Sequence, residues 1–401
     1  MSAPRAFRSP RDIIWGRGAF AHLQHIPGTR VLIVTDRVMT GLGVTDRAKE
    51  YFRKGGLETR VFDEVEPEPS IDTVLRMRDE YQDFHPDVIA GIGGGSSIDA
   101  SKAFRIFYEH PHLAFEDIRY LHGQPKTAIP PFKKSFHVAV ASTSGTGSDV
   151  THVCVLTDPR IPAKCPVRSS VLTPDSAIVD PDIANTMPPT VLADSGLDAL
   201  THAVESSVSL LANDFSCGLS LQAITLVMGN LHRAFIDCDP EAKEHMHYAA
   251  TIAGIAFSNS SNGLCHTVAD KVGASFKLSH GRANAIALPY VIAYNSRVVG
   301  TLYAGTARAL GYRGDDTREA VKDLIRRISE LRRRLGVPGN YREAGIPEDA
   351  YNAKIKEFAA RALTFPATAM NPRKPTIEEL ESLFRACFRG DDKDMAKMFE
   401  K

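Results

Sequence analysis

An α/β domain on a largely parallel sheet, followed by a helical domain, is the architecture this sequence predicts. Three observations point to it. Short β-branched runs alternate with amphipathic stretches in the first part of the chain, glycine-rich turns follow two of those runs, and after Asp182 the apolar spacing becomes helical. At 401 residues the chain exceeds what one ordinary core serves, so two domains are expected, 1–182 and 183–401.

The elements follow in order. Arg30 to Asp36 and Thr59 to Phe62 read as strands around an amphipathic helix from Asp46 to Arg53. The strand from Asp87 to Ile92 runs into Gly93-Gly94-Gly95-Ser96 and a helix from about Ile98 to Tyr108. The strand from Ser135 to Ala141 runs into Ser142-Thr143-Ser144-Gly145-Thr146-Gly147-Ser148. Met187-Pro188-Pro189-Thr190 reads as a helix start with proline in the first turn. Thr317 to Leu335 and Ile377 to Phe388 place apolar residues every three or four positions with charges opposite. There is no internal repeat and no low-complexity segment.

Composition narrows the function. Hydrophobic residues at 43% and charged residues at 24% are the balance of a globular protein. With 48 basic and 48 acidic residues there is no net field to gather nucleic acid or an anionic membrane, so the expected partner is a small molecule. Met1-Ser2-Ala3-Pro4-Arg5 lacks the apolar core of a signal peptide, and no run nears the roughly 18 apolar residues of a membrane span, so a cytoplasmic chain is expected. Six cysteines without a CxxC pair read as reduced core thiols, not as a thiolate metal site.

The chemistry-bearing residues fall in two groups. In the first, the amides of Gly93-Gly94-Gly95-Ser96 would face a helix N-terminus, an arrangement that binds phosphate, although such a turn is also a steric need of many α/β folds and lacks the GxGxxG spacing. Asp36, at a strand's carboxyl end, could accept hydrogen bonds from ribose and repel a 2′-phosphate; from the residues alone, a solvated turn acid or helix cap is the favoured reading. In the second group, Asp198 and His202 share one helix face at i, i+4, and His266 and His280 form a further pair separated by Gly273 and a turn. Imidazole nitrogens with a carboxylate oxygen suit iron(II) or zinc. Singly, each histidine also reads as structural, His202 as a polar contact and His280 in a loop, while His245 and His247 in a charged helix read as exposed.

Together these residues resemble the iron-containing (group III) alcohol dehydrogenase family, in particular the alcohol dehydrogenase half of bifunctional aldehyde–alcohol dehydrogenases. The resemblance spans nearly the whole chain. It rests on Gly93-Gly94-Gly95-Ser96 with Asp99 and Lys102, on Ser144 to Ser148, on Gly196-Leu197-Asp198-Ala199-Leu200-Thr201-His202-Ala203, on His280-Gly281 followed by Ala283-Asn284-Ala285, and on Met370-Asn371-Pro372-Arg373. It implies a Rossmann-like N-terminal domain, an all-α C-terminal domain and an active site in the cleft between them. It also implies metal ligation by Asp198, His202, His266 and His280, and NAD(H) binding by Asp36, Gly94, Gly95, Ser96, Asp99, Ser142, Thr143, Thr146 and Lys164. The implied reaction is metal-assisted hydride transfer between NAD(H) and a short-chain aldehyde or alcohol, with Fe2+ ahead of Zn2+ as the metal, in a homodimer or higher homo-oligomer.

The sequence departs from the family in places. The histidine common four residues after the third ligand is Asp270, a candidate proton relay that could equally pair with Lys271 or an arginine, and the usual Thr-Thr is Ser142-Thr143. The segment Ser258 to Gly263 is polar, Arg282 follows His280-Gly281, and Arg168 is read in a loop after Lys164. Phe257, Asn262 and Arg282 are therefore candidate substrate contacts, and a polar or anionic aldehyde is expected, unless these side chains face solvent or a partner subunit. Two rival readings are a phospho-substrate or carbocycle enzyme similar to glycerol-1-phosphate dehydrogenase or dehydroquinate synthase, and a mainly structural assembly subunit.

Overall fold

The computed structural model describes residues 5–120, 125–161, 164–390 and Met395. The first four residues, part of the segment read for a signal peptide, lie outside them. The chain divides into two compact units, 1–187 and 188–401.

Unit 1 contains β1 (Asp12–Trp15), β2 (Arg30–Val34), α1 (Arg37–Gly41), α2 (Val44–Lys54), β3 (Glu58–Phe62), α3 (Ile71–Tyr81), β4 (Val88–Gly93), α4 (Gly95–Glu109), α5 (Phe115–Ile118), β5 (Phe136–Ala141), β6 (Val153–Thr157), β7 (Lys164–Arg168), β8 (Ser176–Val179) and α6 (Pro181–Ala184). Six strands form one sheet in the order β1-β8-β5-β4-β2-β3, every pairing parallel, and β6 with β7 forms a separate antiparallel pair. Helices cover both faces, which is why β2 and β4 are apolar at consecutive positions. Val31, Ile33, Val88 and Ala90 pack with Phe20, Ala48 and Phe52, whereas Leu32, Val34 and Ile89 pack with Ala100 and Phe104. Each of the valine, leucine, isoleucine and phenylalanine side chains removed from water contributes about 1.5–3 kcal/mol.

The sheet's main consequence for function is register. Val34 pairs with Gly91, and Gly93 with Ala141, so β2, β4 and β5 end side by side at one edge. The segments leaving that edge are those that begin at Asp36, Gly94 and Ser142. Carboxyl ends of parallel strands are where open α/β sheets hold ligands.

Unit 2 is helical among its described residues: α7 (Pro189–Val208), α8 (Asp214–Ile236), α9 (Pro240–Ser258), α10 (Leu264–Phe276), α11 (His280–Ala309), α12 (Thr317–Arg334), α13 (Glu348–Leu363), α14 (Pro366–Met370) and α15 (Ile377–Arg389). Prolines open α7 where the sequence placed them. No helix among the described residues is long and apolar enough to cross a membrane.

Three expectations are corrected. Arg168 lies in β7, not in a loop, and donates to His152 Nε2 at 2.9 Å. His247 is buried, because α9 turns apolar from Met246 and packs against α7 and α8; burial pushes its pKa down to about 4. Cys238 is exposed rather than a core thiol, with a positive φ of 50° between α8 and α9, and Cys217 is only partly covered.

Candidate metal centre and nucleotide site

The centre in unit 2 is built on α7, whose buried side carries Asp198, Thr201, His202 and Glu205. One carboxylate oxygen of Asp198 and one ring nitrogen each of His202 and His266 lie within 4.8 Å of one another, all three residues being buried. Nε2 of His266 stands 3.8 Å from Asp198 Oδ1, and Nε2 of His280 stands 3.7 Å from the same atom. Because the His280 side chain is 33% exposed, the cluster reaches solvent on that side.

Contacts distant in sequence put these groups in place. α10 has Gly263 at its N-cap with no side chain to offer, and the Glu205 carboxylate from α7 substitutes by accepting from the amides of Gly263 (3.0 Å) and Cys265. The same carboxylate holds Nδ1 of His266 at 2.6 Å. Asn371 Oδ1 accepts from Leu264 N (3.3 Å) and from Asn295 Nδ2 (3.0 Å), so the Met370-Asn371-Pro372-Arg373 segment ties α10 to α11. α10 ends at Phe276 with Lys277 as its C-cap, and α11 begins at His280 itself. A Cβ on Gly281 would fall 2.0 Å from the Asp194 carbonyl oxygen, so only glycine lets α11 press its first turn onto α7 and bring His280 to Asp198. Asn284, one turn on, donates to Asp198 Oδ1 at 2.8 Å.

The electrostatics suit a cation. Burial alone would raise the Asp198 carboxyl, but His202, His280, His266 and Asn284 outweigh it and hold it below the ordinary range. For His266, burial opposes protonation, and Glu205 with the other carboxylates overcomes it and raises the pKa. Nε2 of His266 is buried without a hydrogen-bond partner among the described residues, a state that costs on the order of 1–3 kcal/mol unless something accepts its lone pair. A divalent ion of borderline softness fits this three-imidazole, one-carboxylate set. His202 is stacked between Phe257 (centroids 4.3 Å apart) and His266 (4.5 Å), which places Phe257 beside the cluster.

The other residues read from sequence take varied positions. Asp270 Oδ1 is 3.4 Å from Nδ1 of His280. The polar run before α10 largely satisfies itself, with Asn259 donating to Ile255 O and Ser260 to Ala256 O, both at 2.9 Å. Asn262 differs, since its Oδ1 is buried with no partner among the described residues. Arg282 is held by Asp194, Nε to Oδ1 3.2 Å. Lys271 sets its ammonium 3.7 Å from the centre of the Phe365 ring.

In unit 1, α4 starts with Gly94 as an N-cap that supplies no side-chain hydrogen bond, leaving first-turn amides for an anion. The Ser142 to Ser148 loop closes over it. A Cβ on Gly95 would come within 3.0 Å of Thr146, and one on Gly94 within 3.5 Å of Thr143, so the two loops form a cradle that side chains would fill. Asp36 caps α1, accepting from Val38 N and Met39 N, while its Oδ2 accepts from Ser97 Oγ at 3.0 Å. Ser96 Oγ accepts from Glu68 N, and the Glu68 carboxylate pairs with Lys164 at 2.8 Å, which draws Lys164 toward the same turn. Asp99 is buried within α4 and accepts from Val155 N of β6 at 2.9 Å. This cradle fits a dinucleotide pyrophosphate.

Sequence reasoning missed Glu205, Glu68 and Asp194, and gave Asn284 only as part of a motif, without its contact to Asp198. Glu205 had a signal: an acid three residues after His202 and seven after Asp198, on the same face of a helix otherwise apolar there.

Fold and site together describe a two-unit chain with a glycine-lined cradle at the sheet edge and a buried Asp/His cluster, and comparison with known proteins gives its family. Residues 10–181 match the family described as iron-containing alcohol dehydrogenase, and residues 192–388 match its C-terminal family, Fe-containing alcohol dehydrogenase. The chain is 39% identical over 389 residues to the NADPH-dependent butanol dehydrogenase of Clostridium saccharobutylicum, covering 97% of this chain and 99% of that one. It is 39% identical over 402 residues to the aldehyde-alcohol dehydrogenase of Streptococcus pneumoniae serotype 2, covering 95% of this chain but 46% of that protein, so it spans about half the length of that relative. Among solved structures, a 1,3-propanediol oxidoreductase superposes with TM-score 0.88 at 31% identity, covering 96% of this chain and 99% of the other. The chain belongs to the iron-containing alcohol dehydrogenase family, oxidoreductases of alcohols and aldehydes.

Proposed function

We propose that this chain interconverts a short-chain aldehyde and its primary alcohol with NAD(H), at one divalent metal, iron(II), held by Asp198, His202, His266 and His280. The observation that carries this reading is the convergence of Asp198, His202 and His266, with His280 3.7 Å from Asp198, around the buried Nε2 of His266, which has no hydrogen-bond partner among the described residues. When bound, the metal supplies Lewis acidity to the carbonyl or alkoxide oxygen, and the nicotinamide supplies or takes the hydride. The chain's own part is placement: Glu205 orients His266, Gly281 seats His280, the α4 amides take the pyrophosphate, and Phe257 excludes water beside His202. The carboxylate of Asp36 favours NAD(H), although the named Clostridium relative is NADPH-dependent.

For the substrate, the Nε of Arg282 is engaged by Asp194 and that of Arg168 by His152, which favours a neutral polar group over an anion as the partner of Asn262. Asn262 remains, and an amide oxygen wanting a donor suits a hydroxyl; the name of the structural relative, 1,3-propanediol oxidoreductase, is consistent with such a substrate. We also read the enzyme as a cytoplasmic homodimer. Among the described residues no cysteine is in a disulfide, and Trp15, Phe215 and Val298 expose apolar surface that self-association would cover.

The test is anaerobic iron(II) reconstitution with metal analysis, then an NADH-coupled panel of acetaldehyde, butyraldehyde, 3-hydroxypropionaldehyde and an anionic two-carbon aldehyde. Wild type should hold one metal per chain and His280→Ala should lose it. The hydroxyaldehyde should lead in kcat/KM, and Asn262→Leu should remove that lead. Equal metal content in His280→Ala sinks the ligand set, and a ranking headed by butyraldehyde and unchanged in Asn262→Leu sinks the hydroxyl reading.

A further inference from the structure

We infer that Asp270 is a positioning residue for the metal centre: its carboxylate holds His280 in the Nδ1–H tautomer with Nε2 turned to Asp198, as Glu205 does for His266. The inference rests on reading the cluster as a metal site.

Two observations support it from opposite sides of the His280 ring. On one side, Asp270 Oδ1 lies 3.4 Å from Nδ1. On the other, Nε2 lies 3.2 Å from Asn284 Nδ2, and an amide nitrogen only donates. The orientation of that amide is fixed by Asp198, because the same Nδ2 donates to Asp198 Oδ1 at 2.8 Å and a flip would set the amide oxygen against a carboxylate. Nε2 of His280 therefore presents its lone pair, and the single proton of the neutral ring sits on Nδ1, facing Asp270. His266 repeats the pattern, with Glu205 2.6 Å from Nδ1 and Nε2 3.8 Å from Asp198. Asp270 follows His266 by four residues on α10, so this one helix presents a ligand and the carboxylate that orients the next ligand. Carboxylates behind ligating histidines fix the tautomer and strengthen the ligand.

The experiment measures cobalt(II) affinity by chelator competition, with the visible ligand-field spectrum, for wild type, Asp270→Leu, Asp270→Asn, Asp270→Glu and His280→Ala with and without Asp270→Leu. Asp270→Leu should weaken cobalt about 10–100-fold and alter the spectrum. Asp270→Asn, isosteric and so the safer fold, should fall between, Asp270→Glu should recover most of the loss, and Asp270→Leu should add nothing in the His280→Ala background. Affinity and spectrum unchanged in both Asp270→Leu and Asp270→Asn while kcat drops would overturn the inference, because the carboxylate would then act on a proton and not on the ligand. A wild type that takes up no cobalt overturns this inference together with the metal reading; a wild type that binds, with variants that bind equally, overturns this inference alone.

Discussion

The carboxylate of Glu205 stands 2.6 Å from Nδ1 of His266 and accepts from the amides that open the helix bearing that histidine. One acid on α7 thus caps α10 and aims its imidazole, so Glu205→Gln should harm both. A glutamine has one acceptor oxygen where the carboxylate has two. Metal affinity should fall by about 10–100-fold. The metal-free protein should lose about 1–3 kcal/mol from the amides left unmatched. Chelator competition and denaturant titration read the two effects, and an affinity equal to wild type contradicts the orienting role.

Gly281→Ala forces a Cβ to within 2.0 Å of the Asp194 carbonyl, and backbone cannot yield as a flexible side chain can. The first turn of α11 must back away from α7, taking His280 with it. The expected outcome is loss of retained metal and about 1–3 kcal/mol of stability. Gly229→Ala is the contrasting change, because nothing lies within 4 Å of a Cβ there and the residue is exposed within α8. It should stabilise by about 0.5–1 kcal/mol. Equal denaturation midpoints for the two variants would contradict the packing argument.

Asp36→Gly separates two roles in one residue. As the N-cap of α1, Asp36 is replaceable by glycine for a few tenths of a kcal/mol, so the fold should persist. As the carboxylate at the end of β2, it should be needed to disfavour a 2′-phosphate. The ratio of kcat/KM for NADH over NADPH should drop by about tenfold or more in the variant. A wild type that uses both cofactors equally well removes the role.

Burial pushes the Asp99 carboxyl up to about 6, against the pull of Lys102. Its folded pKa therefore exceeds the unfolded value of 3.8, so its contribution to stability is fully present below about 3.8 and is lost as pH rises through about 6. Above that range the buried carboxylate weighs against folding on the order of 3 kcal/mol. Asp99→Asn removes the titration. The metal-free variant should gain on wild type between pH 4 and pH 7 by denaturant midpoint, and a constant difference across that range is the contrary result.

Local patterns were legible in the sequence where the physics is local. The alternation behind β2 and β4, the glycine turn before α4 and the i, i+4 pair Asp198 and His202 all follow from neighbours in the chain. Gly281 was visible as part of a motif, but its reason, the Asp194 carbonyl, is 87 positions away. The same holds for Glu205 with His266, separated by 61 positions. His247 was misread as exposed because its own helix begins charged, and what covers it belongs to other helices. The polar run at Ser258 to Gly263 was legible as polar but not in its use, since the end of α9 consumes the hydrogen-bonding capacity of Asn259 and Ser260, while Asn262 Oδ1 is left without a partner among the described residues.

The stack of Phe257, His202 and His266 has a consequence for how the enzyme lives with its metal. Rings wedged face to face cannot spin, so the ligand set is assembled when the helices pack and not when an ion arrives. In small domains that are unfolded without their metal, binding is folding. Here the ordering entropy of the ligands is already spent, and an ion meets a finished receptacle. Losing the ion should leave the polypeptide intact and ready to refill, so the cell's supply of divalent metals, and not the chain's capacity to refold, decides how quickly a spent molecule returns to service.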